Sequence, residues 1–140
     1  NRFWKVIAGI FKEPLPQTID EKEDLLLRHR IAVWDVIDSC DIVGSSDSSI
    51  RNVVPNDMNL ILSNAKIQGI FANGGKAHQL FVKYCHKEGM PPLGKLPSTS
   101  PANAAWNLER LTAEWKTAFE TYLEITEQEK TFEKRRNDNG

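Results

Sequence analysis

Between residues 67 and 85 the apolar residues change period, and that change constrains the fold more than any other feature of the chain. Residues 67–72 are a short, mostly apolar run of the kind that suits a buried parallel strand. Asn73-Gly74-Gly75 interrupts it, and Ala77, Leu80, Phe81, Tyr84 and Cys85 then recur at helical spacing. Before the run, Asn56 is placed to cap a helix with Met58, Ile61, Leu62 and Ala65 on one face. Helix, strand, tight turn and helix in that order predict an α/β layer arrangement.

The remaining segments fit around that unit. Phe3, Trp4, Ile7, Ala8 and Phe11 predict a helix over residues 2–11, ended by Pro14 and Pro16. Asp20 with Glu23 has capping-box spacing ahead of Leu25-Leu26-Leu27, which predicts a second short helix. Residues 31–40 fit a strand or a helix equally well. Residues 44–52 read as a polar loop, residues 93–96 as a final strand, and residues 97–101 as a rigid, hydroxyl-rich loop. Asn107 is placed to cap a last helix whose face runs Leu108, Leu111, Trp115, Ala118, Phe119 and Tyr122. The expected division is one α/β domain over residues 1–126 and a polar, frayed tail over residues 127–140, since 140 residues leave no room for a second domain of ordinary size.

Charge separates function classes. The formal total is −1, which excludes a surface that is basic all round. The total conceals an uneven spread. Residues 31–63 hold Asp35, Asp38, Asp41, Asp47 and Asp57 against Arg51, and residues 64–100 hold Lys66, Lys76, Lys83, Lys87 and Lys95 against Glu88. An anionic partner would meet the second stretch. Cys40 and Cys85 sit among apolar residues and read as buried thiols, as expected in a reducing compartment. His29, His78 and His86 have no metal-ligand spacing, so neither metal nor other cofactor is expected, and no apolar run reaches the ~20 residues that span a bilayer.

Three segments can carry chemistry, each beside a plainer reading. Asn73-Gly74-Gly75-Lys76 follows a strand and opens a helix, where outward N–H groups could hold an anion; a plain tight turn competes. In Pro97-Ser98-Thr99-Ser100-Pro101-Ala102-Asn103, three hydroxyls between two prolines could grip phosphate oxygens, against a merely rigid connector. At the start, Asn1 could cap a helix or use its carboxamide on a water or a base edge. Arg2 could meet phosphate or solvent, and Phe3 and Trp4 most economically pack in the core. Asp35, beside Trp34, reads as a partly buried carboxylate, and Asp47 as a turn former.

These segments together resemble the hypoxanthine-DNA (deoxyinosine) glycosylase family of the uracil-DNA glycosylase superfamily. The resemblance is carried by Asn1-Arg2-Phe3-Trp4-Lys5, Ile31-Ala32-Val33-Trp34-Asp35-Val36, Gly44-Ser45-Ser46-Asp47-Ser48-Ser49-Ile50-Arg51 and Pro55-Asn56-Asp57. It continues in Ile70-Phe71-Ala72-Asn73-Gly74 and Leu96-Pro97-Ser98-Thr99-Ser100-Pro101-Ala102-Asn103-Ala104, and runs in order from Asn1 to about Tyr122. Two departures stand out: Ser46 where that family has Leu, and Leu96 where much of the superfamily has His.

The resemblance implies a small central parallel sheet with helices on both faces, with an opening strand and Gly-rich segment expected ahead of Asn1. It implies an enzyme that extrudes a deaminated base, most of all hypoxanthine, from double-stranded or single-stranded DNA and hydrolyses its N-glycosidic bond in base excision repair. Asn1 is then the catalytic residue. Asn73 and Phe3 lie in or near the base pocket, and Gly74, Lys76, Ser98, Thr99, Ser100 and Pro101 meet the DNA backbone or groove. No cofactor, membrane or obligate protein partner is implied, and a cytoplasmic location with the chromosomal DNA is expected. Uracil as the main substrate and an inactive DNA-binding module are the alternatives.

Overall fold

In a computed structural model, the protein is described over residues 1–42, 50–55, 57–58, 62–63 and 65–123. Among these residues the architecture is α/β, with four helices and four strands. The helices are α1 (Phe3–Phe11), α2 (Ile19–Arg28), α3 (Gly75–Tyr84) and α4 (Leu108–Phe119). The strands are β1 (Ile37–Ile42), β2 (Ile50–Pro55), β3 (Ile70–Asn73) and β4 (Leu93–Leu96). The chain forms two compact units, one of Asn1–Ile31 with Leu96–Gly140 and one of Ala32–Lys95.

The first unit is helical. Val6, Ile7, Ala8, Ile10 and Phe11 of α1 are buried, as are Leu25 of α2 and Leu111, Trp115 and Phe119 of α4. Ile7 with Ile10 and Phe11 in α1, and Leu111, Trp115 and Phe119 in α4, recur at spacings of three and four, and removing those faces from water drives the packing. At Gly9, α1 and α4 come close, with the position of a missing Cβ only 3.2 Å from Thr112 Cγ2. α1 stops before the prolines are reached: Lys12 takes a left-handed conformation (φ 54°), and its N–H bonds the Ala8 carbonyl.

The cap of α2 lies two residues earlier than Asp20 and Glu23 suggest. Thr18 Oγ1 accepts from Glu21 N at 3.1 Å, and Glu21 Oε2 accepts from Gln17 N at 2.7 Å. Thr18-x-x-Glu21 is therefore the capping pair, and the helix gains its first turn from it. At the other end, Glu13 receives Arg28 Nη1, and His29 Nε2 lies 3.2 Å from Glu13 Oε2. Both of those facing atoms are shielded from water, with alignment too poor for a hydrogen bond. The His29 ring stacks on Phe11 at 3.9 Å.

Burial opposes ionisation of Glu13, but the hydrogen bond and charge of Arg28, with the imidazole of His29 close by, outweigh it and hold the carboxyl below its usual value.

The second unit holds the sheets. Strands β1 and β2 pair antiparallel, Ile37 opposite Pro55 and Ile42 opposite Ile50, with irregularities between. The ambiguous segment is strand only from Ile37 on, and Ile50, Arg51 and Asn52 belong to a strand rather than to the polar loop expected there. Trp34 and Asp35 are exposed rather than partly buried. β3 and β4 form a two-stranded parallel sheet joined through α3. A parallel pair needs such a crossover, which makes β3–α3–β4 a βαβ unit. The four strands therefore form two two-stranded sheets, where a single central sheet was expected. Cys85 is buried, and burial pushes its thiol pKa up. Residue 61 and the cap at Asn56 lie outside the described residues, as do Asp47 and the tail. Leu62 N bonds the Met58 carbonyl at 3.1 Å, one turn of the helix expected in that stretch.

Two glycines separate close packing from turn geometry. At Gly94 of β4 a Cβ would lie 2.9 Å from Phe71 Cδ1, whereas at Gly75 it would meet nothing within 4 Å. Gly94→Ala is expected to lower unfolding free energy by about 1–2 kcal/mol, and Gly75→Ala to leave it level or raise it by a few tenths. Denaturant midpoints of the two variants check the contrast.

The Glu13 shift gives a second prediction. Because its folded pKa is below the unfolded one, its contribution is complete above the ordinary carboxylate range and is lost as pH falls through the folded pKa. Glu13→Gln should therefore flatten the acid limb of a stability–pH curve and leave the slope near neutrality unchanged.

Candidate functional site

The site candidate in the first unit is built around the residue that precedes α1. Arg2 turns its side chain back along the loop before α4. Its Nη2 donates to the carbonyls of Ser100 (2.8 Å) and Asn103 (3.1 Å), its Nε to Thr99 O (3.4 Å), and its Nη1 to Trp106 O. The Arg2 backbone N also donates to Thr99 O at 3.1 Å. A planar guanidinium has donors fixed in a fork, so one side chain sets several carbonyls at once. Of the two roles considered for Arg2, phosphate contact and solvent exposure, the structure gives neither: it is half-buried and holds the loop.

Other donors complete the loop. Trp115 Nε1 of α4 donates to Pro97 O at 2.9 Å, and Asn103 Nδ2 to Ser98 O at 3.0 Å. The carbonyls of residues 97, 98, 99, 100, 103 and 106 are all consumed within the unit. The hydroxyls are used differently. Ser98 Oγ accepts from Ser100 N (3.1 Å), and Ser100 Oγ accepts from Ala102 N (3.2 Å). An accepting hydroxyl keeps its proton to give, and neither proton has an acceptor among the described residues. The loop thus faces inward with its acceptors and retains two half-buried donors, a combination suited to an anion.

Thr99 behaves otherwise. It is fully buried, and its Oγ1 donates to Asn1 Oδ1 at 2.7 Å. It is not a surface group for the DNA backbone, which corrects the expectation for that residue. The same Asn1 oxygen accepts the Phe3 N–H at 2.9 Å, so Asn1 satisfies the first amide of α1 from the position before the N-cap, Arg2. Asn1 itself is exposed, and its Nδ2 has no partner among the described residues. Phe3 is half-buried, packed edge-on against Trp4 at 5.0 Å and Trp115 at 5.8 Å. Pro101 is exposed at the loop's turn. The first unit therefore brings together Asn1, Phe3, Ser98, Thr99 and Ser100, from opposite ends of the sequence.

Asn73, Gly74 and Lys76 lie together at the β3–α3 junction of the second unit. Asn73 is exposed, Lys76 half-buried, and Gly74 buried with φ 96°, a conformation that favours glycine. The Gly74 N–H bonds the Ala72 carbonyl at 3.1 Å, so this amide is engaged internally rather than offered to phosphate. α3 starts with no side-chain cap. Among the described residues no group of three His, Cys, Asp or Glu could hold a metal ion, and no helix is long and apolar enough to cross a membrane.

No family model, curated protein or solved structure matches the chain.

The Arg2 clamp was hidden in the sequence because its partners are backbone atoms about a hundred positions away. Hydrogen bonds to a charged donor contribute ~1.5–3 kcal/mol each when made in place of water. A lysine cannot reproduce the fork. Arg2→Lys is expected to destabilise the protein by about 2 kcal/mol, read as a lower denaturant midpoint at unchanged slope. An unaltered midpoint would rule the clamp out.

Proposed function

We propose that the protein is a DNA glycosylase that hydrolyses the N-glycosidic bond of deaminated bases, hypoxanthine first among them. We propose with it that the β3–α3–β4 unit is part of a uracil-DNA glycosylase-like sheet. The observation that carries the reading is the Thr99–Asn1 hydrogen bond. It joins two of the segments that carry the family resemblance, Asn-Arg-Phe-Trp and Pro-Ser-Thr-Ser-Pro, across 98 positions. Chance similarity of two unrelated loops would give no reason for their polar groups to meet.

The roles follow from the chemistry each group has left. Ser98 and Ser100 donate to phosphate oxygens beside the target nucleotide, and the rigid loop that holds them adds little ordering cost. Lysines at positions 66, 83, 87 and 95 are exposed and supply the long-range attraction that a formal charge of −1 conceals. Extrusion of the nucleotide costs least where the base is mispaired or deaminated. Asn1 acts at the extruded base. The C1′–N bond breaks, water oxygen bonds to C1′, and a proton passes to the departing base, leaving an abasic site and the free base.

The test uses the full chain and duplexes carrying one hypoxanthine, uracil or xanthine, with abasic sites revealed by alkaline cleavage. Hypoxanthine should be released, and Asn1→Ala should slow release by ~10²-fold or more, as for loss of a donor acting in the transition state. Ser98→Ala with Ser100→Ala should weaken DNA binding by a similar factor at every salt concentration and leave the salt slope unchanged, because neutral hydroxyls release no counterions. Faster release of uracil would change the substrate. Salt-sensitive binding with no abasic product would make the protein a DNA-binding module.

A further inference from the structure

We propose that Thr99 is a positioning residue that takes the acceptor direction the Phe3 N–H leaves open on the Asn1 carboxamide, so that Asn1 meets its ligand only as a hydrogen-bond donor. The proposal deepens the glycosylase reading and rests on it for its use in catalysis. Its structural part stands on the hydrogen bonds alone.

A carboxamide is ambiguous by nature. It has one acceptor and two donors on a group that can turn over by a half rotation. Here the ambiguity is removed. The Phe3 backbone N–H can only donate, so the atom 2.9 Å from it must be the oxygen. Thr99 Oγ1 lies 2.7 Å from that same oxygen and is completely buried, so its proton has no competing water. Both accepting directions of Oδ1 are then occupied, and Nδ2, without a partner among the described residues, is left on the exposed side of Asn1. Turning the amide over would set an NH₂ group against the Phe3 N–H, donor to donor. Phe3 forbids the flip, and Thr99 takes the remaining lone pair.

The consequence concerns what Asn1 can recognise. With Oδ1 used, Asn1 has no acceptor to orient a water or to meet an exocyclic amino group. It has a donor for a carbonyl oxygen, which the deaminated bases present where adenine and cytosine carry NH₂. As the glycosidic bond breaks, negative charge spreads onto the departing base, and a fixed N–H donor bonds it more strongly then than before. The direction of that donor depends on a buried hydroxyl the ligand never touches.

Thr99→Val keeps the shape and removes the hydroxyl, while Thr99→Ser keeps the hydroxyl. In single-turnover excision of hypoxanthine at saturating enzyme, Thr99→Val should be slower by about tenfold to a hundredfold, with DNA affinity within twofold of the original and Thr99→Ser close to wild type. In an Asn1→Ala background, Thr99→Val should cause no further loss. A rate unchanged in Thr99→Val, or a further loss in the Asn1→Ala background as large as in the parent, would overturn the proposal.

A second readout does not depend on activity. In nuclear magnetic resonance spectra, the two Nδ2 protons of Asn1 should resonate away from the free-carboxamide pair in the wild type and in Thr99→Ser, and move toward that pair in Thr99→Val. Identical Asn1 amide signals in all three proteins would overturn it even if excision is found. A wild-type protein whose Asn1 signals shift in Thr99→Val as expected but that shows no excision would overturn the glycosylase reading and leave the Thr99–Asn1 geometry supported.

Discussion

The first unit depends on one cation turned away from solvent. Arg2 sits at the point where the chain enters α1 and ties that point to the carbonyls of the loop leading into α4. Apolar packing between α1 and α4 fixes the helices as a pair, but it says little about the conformation of the loop, whose residues bury little apolar surface. Directional bonds from a planar fork do that work. A charged group held by several carbonyl dipoles keeps its charge while losing most of its contact with water, provided that every donor finds a partner. The loop is therefore set before any ligand arrives.

That arrangement changes how an anionic partner would be bound. The nearest cation, Arg2, is committed to carbonyls, and Thr99 is committed to Asn1. What the loop keeps for a ligand is neutral: two serine hydroxyl protons and the Asn1 amide. Neutral donors on a rigid frame give position and orientation with little long-range pull. On the proposed DNA reading, long-range attraction would come from the exposed lysines at 66, 83, 87 and 95. The separation of attraction from positioning explains how a chain of formal charge −1 could take a polyanion.

What could be read from the sequence was what depends on neighbours in the chain. The 3.6-residue spacing in Phe3–Phe11, Gly75–Tyr84 and Leu108–Phe119 announced three helices, and Asn107 announced a cap that its Oδ1 makes with Arg110 N at 2.8 Å. β3 and β4 fell within three residues of their expected ends because Gly and Pro punctuate them. The antiparallel hairpin was less legible. Its strands mix acids and serines with β-branched residues, and what defines them is the partner strand, not their own period. At α2 the signal was present but doubled: Thr18 with Glu21 and Asp20 with Glu23 both have capping spacing, and only the backbone chooses between them.

The site shows the same boundary more sharply. That Ser98, Thr99 and Ser100 form a polar, rigid loop follows from their type and the flanking prolines. That the middle hydroxyl faces inward while its two neighbours stay half-exposed does not, because it depends on which side of the loop meets α1. Ser98 and Ser100, linked by the bond from Ser100 N to Ser98 Oγ, stay half-exposed, while Thr99 between them is buried. The triplet was available in the sequence, but it could not say which hydroxyl turns inward until Asn1 and Arg2 supplied the inside. A hydroxyl triplet therefore divides its labour: the outer two keep protons for a ligand, and the central one sets the group that would meet the base.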